Sequence, residues 1–274
     1  MTMNLRDLKK LTNTFEPTDQ MPVLFVGHGN PMNAIEDNAF SRGWQEAAKN
    51  LPRPNAILCI SAHWLTRGTF VTAMEKPKTI HDFYGFPQAL FDVQYSCAGS
   101  PQLAEDMQQT VKSVQVKADS EWGLDHGTWS ILNRMFPKAD VPVLQLSIDY
   151  YKPGRFHYDL AKELAPLRKK GVLIIGSGNI VHNLRMAIFG ENVKPYDWAI
   201  EFDELSKQLI ETRQHDKLVA WDNLGQAAKL SIPTPDHYFP MLYAIALQGK
   251  NEPITFFNEQ MAFGSGSMRS LRIG

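Results

Sequence analysis

Residues 173–182 read LIIGSGNIVH: an apolar run, a turn of small residues, then His182. VLFVGH (23–28) and ILCISAH (57–63) repeat the pattern and end on His28 and His63. A strand covered on both faces reads as a continuous hydrophobic run, and the residue past its carboxyl end faces the crevice where open α/β sheets bind ligands. The three runs therefore predict buried strands that bring three imidazoles to one sheet edge. Imidazole suits zinc, copper, iron and nickel better than magnesium or calcium, so their convergence points to a transition metal. A fourth candidate is His237 in TPDHYFP, where Thr234 can cap a helix, Pro235 fits its first position and His237 falls in its first turn.

Working outward, the first strand spans 22–27 and is followed by a turn and a helix carrying Ala34, Ile35, Phe40, Trp44, Ala47 and Ala48 at roughly helical spacing. LPRP (51–54) ends that helix. A strand at 55–62 then turns at Arg67 and Gly68 into an antiparallel partner at 69–74. The aromatic segment KTIHDFYGFPQALF (78–91), which holds His81, reads as a pocket-lining loop. A helix from Ser100 and Pro101 to about 112 precedes a short strand at 114–118, and His126 stands at the start of a helix with Trp129, Leu132 and Phe136 near one face. Strands at 141–148 and 172–177 flank a helix at 154–169, helices fill 179–247, and strands follow at 253–257 and 267–273. This alternation predicts an α/β fold: a single domain with a central, mostly parallel mixed sheet covered by helices on both faces. Residues 1–20 are polar and weakly periodic and read as an N-terminal arm; residues 21–274 form the domain.

The 274 residues include 28 basic and 29 acidic side chains, a formal net charge of -1. That balance supplies no positive field for nucleic acid or an anionic membrane, which favours small-molecule chemistry. No run is long and apolar enough to span a bilayer and the first residues lack a secretory signal, so the expected location is the cytoplasm. Cys59 and Cys97 form no CxxC pair, which argues against a disulfide framework and a cysteine zinc site. GSGN (176–179) leaves a phosphate-binding turn open, yet lacks the third glycine of a dinucleotide fingerprint and the lysine of a P-loop. A hydrolase built on Ser177 would lack the GxSxG elbow, and HExxH is absent. His157 and His215 lie among polar residues and read as surface, Trp129 and Trp198 as core, and His81 and Tyr84 as loop packing. His126 either caps its helix or enters a pocket.

Seven motifs, GHGNPMNAIED, SAHW, HDFYGFP, WGLDHGTW, PVLQLSID, GSGNIVHNLR and TPDHYFPMLYA, occur in that order from about residue 21 onward. Together they resemble the DOPA-dioxygenase-type extradiol ring-cleaving enzymes, in the class III group with the catalytic subunit of protocatechuate 4,5-dioxygenase. The resemblance implies that His28, His63 and His237 are metal ligands. It makes His182 an acid/base beside the metal, or a further ligand when no substrate is bound, and His126 a second catalytic histidine. The wider class III pattern has a carboxylate as third ligand, whereas this chain offers His237 with Asp236 adjacent, a site more positive by one charge. The implied cofactor is Fe(II), with Zn(II) able to occupy the same site. The implied substrates are a small catechol, such as DOPA, and O2, and the implied product is a muconic semialdehyde. A zinc-dependent hydrolase using the same histidines and a non-catalytic metal-binding protein on the same fold stay open as alternatives. Oligomeric state leaves no mark in the sequence.

Overall fold

The computed structural model describes residues 18–190 and 192–274. Most of the expected arm, 1–17, lies outside the described residues; Thr18 donates its N–H to the carbonyl of Lys169, and the Gln20 side chain donates to Glu252. The strands are β1 (Val23–Gly27), β2 (Ala56–Thr66), β3 (Thr69–Thr72), β4 (Val116–Asp119), β5 (Val143–Asp149), β6 (Val172–Gly178), β7 (Ile254–Phe257), β8 (Met261–Ala262), β9 (Gly266–Ser267) and β10 (Ser270–Ile273). Eight of them form one sheet in the order β4-β3-β5-β2-β6-β1-β10-β7, and β8 pairs with β9 alone.

The four central strands, β5, β2, β6 and β1, run parallel. They alternate between two cores, as strands buried on both faces must. In β1, Val23 and Phe25 enter one core while Leu24 and Val26 enter the other, and in β6 the same split separates Val172 and Ile174 from Leu173 and Ile175. The first core is filled by the helices Pro101–Thr110, Gly154–Glu163, Asp197–Glu211 and Phe239–Ala246, the second by Ala39–Lys49 and His126–Met135. Helices thus cover both faces of a mixed sheet, as the alternation of elements predicts.

Several local expectations are corrected. The strand after the turn at Arg67 pairs with β5, not β2: Val71 lies opposite Leu146 in an antiparallel bridge, and β5 occupies the place beside β2. A chain reversal predicts direction but not which neighbour a strand finds. The helix expected at 154–169 breaks at Leu164, just before Pro166, whose missing N–H cannot serve a continuous helix. The helix expected to carry His237 starts only at Phe239, with Pro240 in its first turn, so Pro235 to Tyr238 form a preceding turn rather than helical residues. His157 and His215 are buried, not at the surface, and Trp198 is half-buried against Tyr196 while Trp129 is core.

Candidate metal centre

Each site histidine is placed by a local device. His28 leaves the end of β1, where its N–H donates to the Gly178 carbonyl at the end of the adjacent β6. His63 lies within β2, in the stretch between Ile60 and Leu65 where that strand's register with β5 shifts. His126 opens a helix capped by Asp125, not by His126 itself: the Asp125 carboxylate accepts from the Thr128 N–H, the Ser61 hydroxyl at 2.7 Å and the Gln145 amide at 2.6 Å. Burial, and then the charge of Asp82, raise the Asp125 carboxyl above its ordinary range, against the hydrogen bonds from Ser61 and Gln145. Gly127 lets this helix approach β2, since a Cβ there would lie 2.5 Å from Ser61 Oγ and 2.9 Å from His63 Cδ2.

His237 reaches the site because β6 has no side chain in its way. A Cβ on Gly178 would sit 2.1 Å from the His237 carbonyl oxygen, and the Asn179 N–H donates to that same oxygen at 2.9 Å. His182 is fixed through its backbone, donating to the Ser231 carbonyl and bridging to Gly266, with Ser267 donating to Val181 beside it. The GSGN turn is therefore spent on packing and on Ser177, which leaves the phosphate-binding reading without support.

The ring centroids of His28, His63 and His237 make a nearly equilateral triangle, with sides of 5.0, 5.0 and 5.1 Å. All three have a partner at Nδ1. The Ser177 hydroxyl donates to the Gly127 carbonyl and so accepts from His28 Nδ1 at 3.0 Å. His63 Nδ1 lies 3.5 Å from Asp82 Oδ2, and His237 Nδ1 lies 2.5 Å from Asp236 Oδ2. A histidine that donates from Nδ1 keeps the Nε2 lone pair free, the arrangement that outer partners impose on metal-binding imidazoles.

His28 Nε2 and His63 Nε2 face each other at 3.2 Å. Two lone pairs so close repel unless a cation lies between them, and the spacing is what two nitrogens at about 2.0–2.1 Å from one ion produce. Burial first, and the neighbouring imidazoles second, push His28, His63 and His182 well below the usual histidine value, so these rings are neutral and able to bind. The residues thus fit a transition metal. They also answer the charge question raised by a third histidine, because Asp82 and Asp236 stand directly behind two of the rings. Burial raises both carboxyls, but hydrogen bonds from His126 and His237 respectively outweigh it and hold them below the ordinary range.

Two further rings flank the triangle. His126 packs on His63, centroids 3.9 Å apart, and His182 stacks on His237 at 3.5 Å with planes 9° from parallel. Ring nitrogens of His28, His63 and His126 lie within 4.8 Å of one another, and so do the ligating atoms of His182, Asp236 and His237. All five histidines line one cavity of about 560 Å³, walled by Phe83, Phe86, Phe189 and Phe263, with exposed Tyr84 at its mouth. The loop 78–91 lines it as expected, through Asp82 rather than His81, whose Nε2 meets the Val93 carbonyl. Sequence reasoning missed Asp82 and the anchoring role of Ser177. In extended backbone neighbours point opposite ways, so a His81 turned into the fold leaves Asp82 for the site. Cys59 and Cys97 are free and buried, and no described helix is long and apolar enough to cross a membrane.

The family described as the catalytic LigB subunit of aromatic ring-opening dioxygenase matches residues 21–263. A 4,5-DOPA dioxygenase extradiol of Escherichia coli (strain K12) is 47% identical over 93% of this chain and 95% of its own length. One from Beta vulgaris is 36% identical over 88% and 94% respectively. The crystal structure of the uncharacterized protein JW3007 from Escherichia coli K12 superposes with a TM-score of 0.82 at 43% identity, covering 93% of this chain and all of that one. A histidine cluster suited to a metal, on this sheet and with these relatives, makes the chain a member of the LigB family and an aromatic ring-opening dioxygenase.

Proposed function

We propose that this chain performs extradiol cleavage of a small catechol, 4,5-cleavage of DOPA or a similar ring, with ferrous iron as the working metal and zinc able to take its place. The observation that carries the proposal is the triangle of His28, His63 and His237, each anchored behind its ring, on the floor of an aromatic-walled cavity. The substrate class follows the Escherichia coli and Beta vulgaris relatives, both named for DOPA.

His28, His63 and His237 would hold the metal through Nε2. When bound, the metal would supply the electron path between catechol and dioxygen that spin rules deny to the free pair. Phe83, Phe86, Phe189 and Phe263 offer apolar surface to a flat ring, and no Lys or Arg lines the cavity among the described residues. A charged substituent is therefore directed toward the mouth and solvent. His182 accepts the second hydroxyl proton, since a neutral imidazole at the cavity wall both takes and returns a proton. His126, on the opposite flank, donates to oxygen as negative charge grows there. The ring bond beside the two hydroxyls breaks, one atom of O2 enters the new aldehyde and the other the new carboxyl, and no external reductant is consumed. Residues 21–274 form the catalytic domain in this reading, with 1–20 an arm outside it and a cytoplasmic location, and the chain acts on a small catechol and O2 with no nucleic-acid or membrane partner.

The test is anaerobic loading of metal-free protein with ferrous iron, then addition of air with L-DOPA or a catechol panel. Oxygen uptake coupled to a yellow semialdehyde, absent with zinc, is the expected result. Stoichiometric iron with no uptake for any catechol would overturn it.

A further inference from the structure

Asp82 comes from the substrate-side loop, yet its carboxylate reaches two histidines at once. Oδ1 accepts from the His126 backbone N–H at 2.9 Å, and His126 Nδ1 lies 2.9 Å from the same oxygen, though out of line for a good hydrogen bond. Oδ2 lies 3.5 Å from His63 Nδ1. The two imidazoles so held are the pair packed at 3.9 Å. His126 has no other described partner for its ring Nδ1, and His63 none for its own.

We infer that Asp82 is a positioning residue, holding a metal ligand, His63, and a flanking catalytic histidine, His126, in one fixed relation with both Nε2 atoms turned to the cavity. The charge of Oδ2, 3.5 Å away, favours the Nδ1-protonated form of His63 and so leaves Nε2 for the metal. Oδ1 ties the first residue of the Asp125-capped helix and fixes where the His126 ring stands. The aromatic loop bearing Phe83 and Phe86 is thereby attached to the metal centre itself, so the wall that receives substrate and the rings that act on it move together. Such outer partners usually change metal affinity or activity by about 10–100-fold.

Asp82→Asn separates this role from simple loop packing. It keeps the side chain's size and an oxygen for the His126 N–H, but removes the charge and places an amide opposite His63 or leaves one acceptor for two rings. Affinity for Co(II), measured by chelator competition together with the visible spectrum of the bound ion, should weaken by about tenfold or more with an altered spectrum. With saturating ferrous iron, kcat for the preferred catechol should fall by a similar factor while KM changes less than about threefold. Asp82→Glu should recover part of both. The kinetic arm rests on the ring-cleavage reading and the Co(II) arm does not, so a wild-type protein inactive on every catechol would sink that reading and leave this one testable. Wild-type Co(II) affinity, spectrum and kcat in Asp82→Asn, even with a lowered melting temperature, would show that Asp82 only packs the loop.

Discussion

His28 and His157 are both fully buried imidazoles, and each has Nδ1 3.0 Å from a hydroxyl, that of Ser177 in one case and Tyr243 in the other. They differ at the far nitrogen. His28 Nε2 faces a second imidazole and a cavity, while His157 Nε2 has no hydrogen-bond partner and the ring lies over Phe239 at 4.3 Å. Burial and one anchoring bond are common to both histidines; convergence with other lone pairs distinguishes His28, the proposed ligand, from His157.

The strongest way to break that comparison is to remove members of each set. His28→Ala, His63→Ala and His237→Ala should each abolish stoichiometric metal binding in a dialysed sample assayed by elemental analysis, whereas His157→Phe should bind a full equivalent. Retained metal in His237→Ala, with loss in His182→Ala, would transfer the third position to His182. A smaller effect is expected for the flanking ring. His182→Ala should keep the metal while kcat drops by about 10²–10⁴-fold, the usual worth of a positioned acid/base, and undiminished ring cleavage would remove it from that role. Next comes the anchor. Ser177→Ala takes the acceptor from His28 Nδ1 and should cost about 10–100-fold in metal affinity, read by chelator competition. Unchanged affinity would mean that the ring needs no hydroxyl behind it.

The smallest effect lies in pH dependence. Burial pushes His157 down to about 4, so the folded form resists a proton that the unfolded chain accepts near 6.5. The unfolded state then binds more protons between these values, and the stability contributed by a neutral His157 is complete above pH 6.5 and lost as pH falls toward 4. Between pH 8 and pH 5 the loss should be about 2 kcal/mol, visible as a denaturation midpoint that falls more in the wild type than in His157→Phe. Equal losses in both proteins would discard this account.

The same pair explains what could be read from the sequence. His28 and His63 announce themselves because each follows an apolar run into small residues, a pattern with few physical readings other than a buried strand end. His157 lies in GRFHYDLAKE, where acidic and basic neighbours suggest solvent; the apolar stripe that buries it is completed only by Phe239 and Tyr243 from a distant helix. The central strands were legible for the same reason as the histidines they carry. Which strand β3 would join was not, because pairing depends on whether β5 can insert beside β2. His237 was legible as a candidate through its motif, but its helix was misplaced, since Pro235 and Pro240 are equally suited to a first turn and only packing against Gly176 and Gly178 decides between them. Asp82 escaped because a carboxylate in an aromatic loop carries no periodic signal.

The three rings of the triangle come from β1, β2 and the turn before the last long helix, far apart along the chain. An unfolded chain does not hold these three imidazoles together, so with the proposed ligand set most of the binding free energy accrues to the native state. By mass action, free metal at a hundred times its dissociation constant adds about 2.7 kcal/mol to folding. With the proposed ligand set, the protein's resistance to heat becomes a gauge of metal supply, and depletion of that metal should lower the melting temperature as well as the activity.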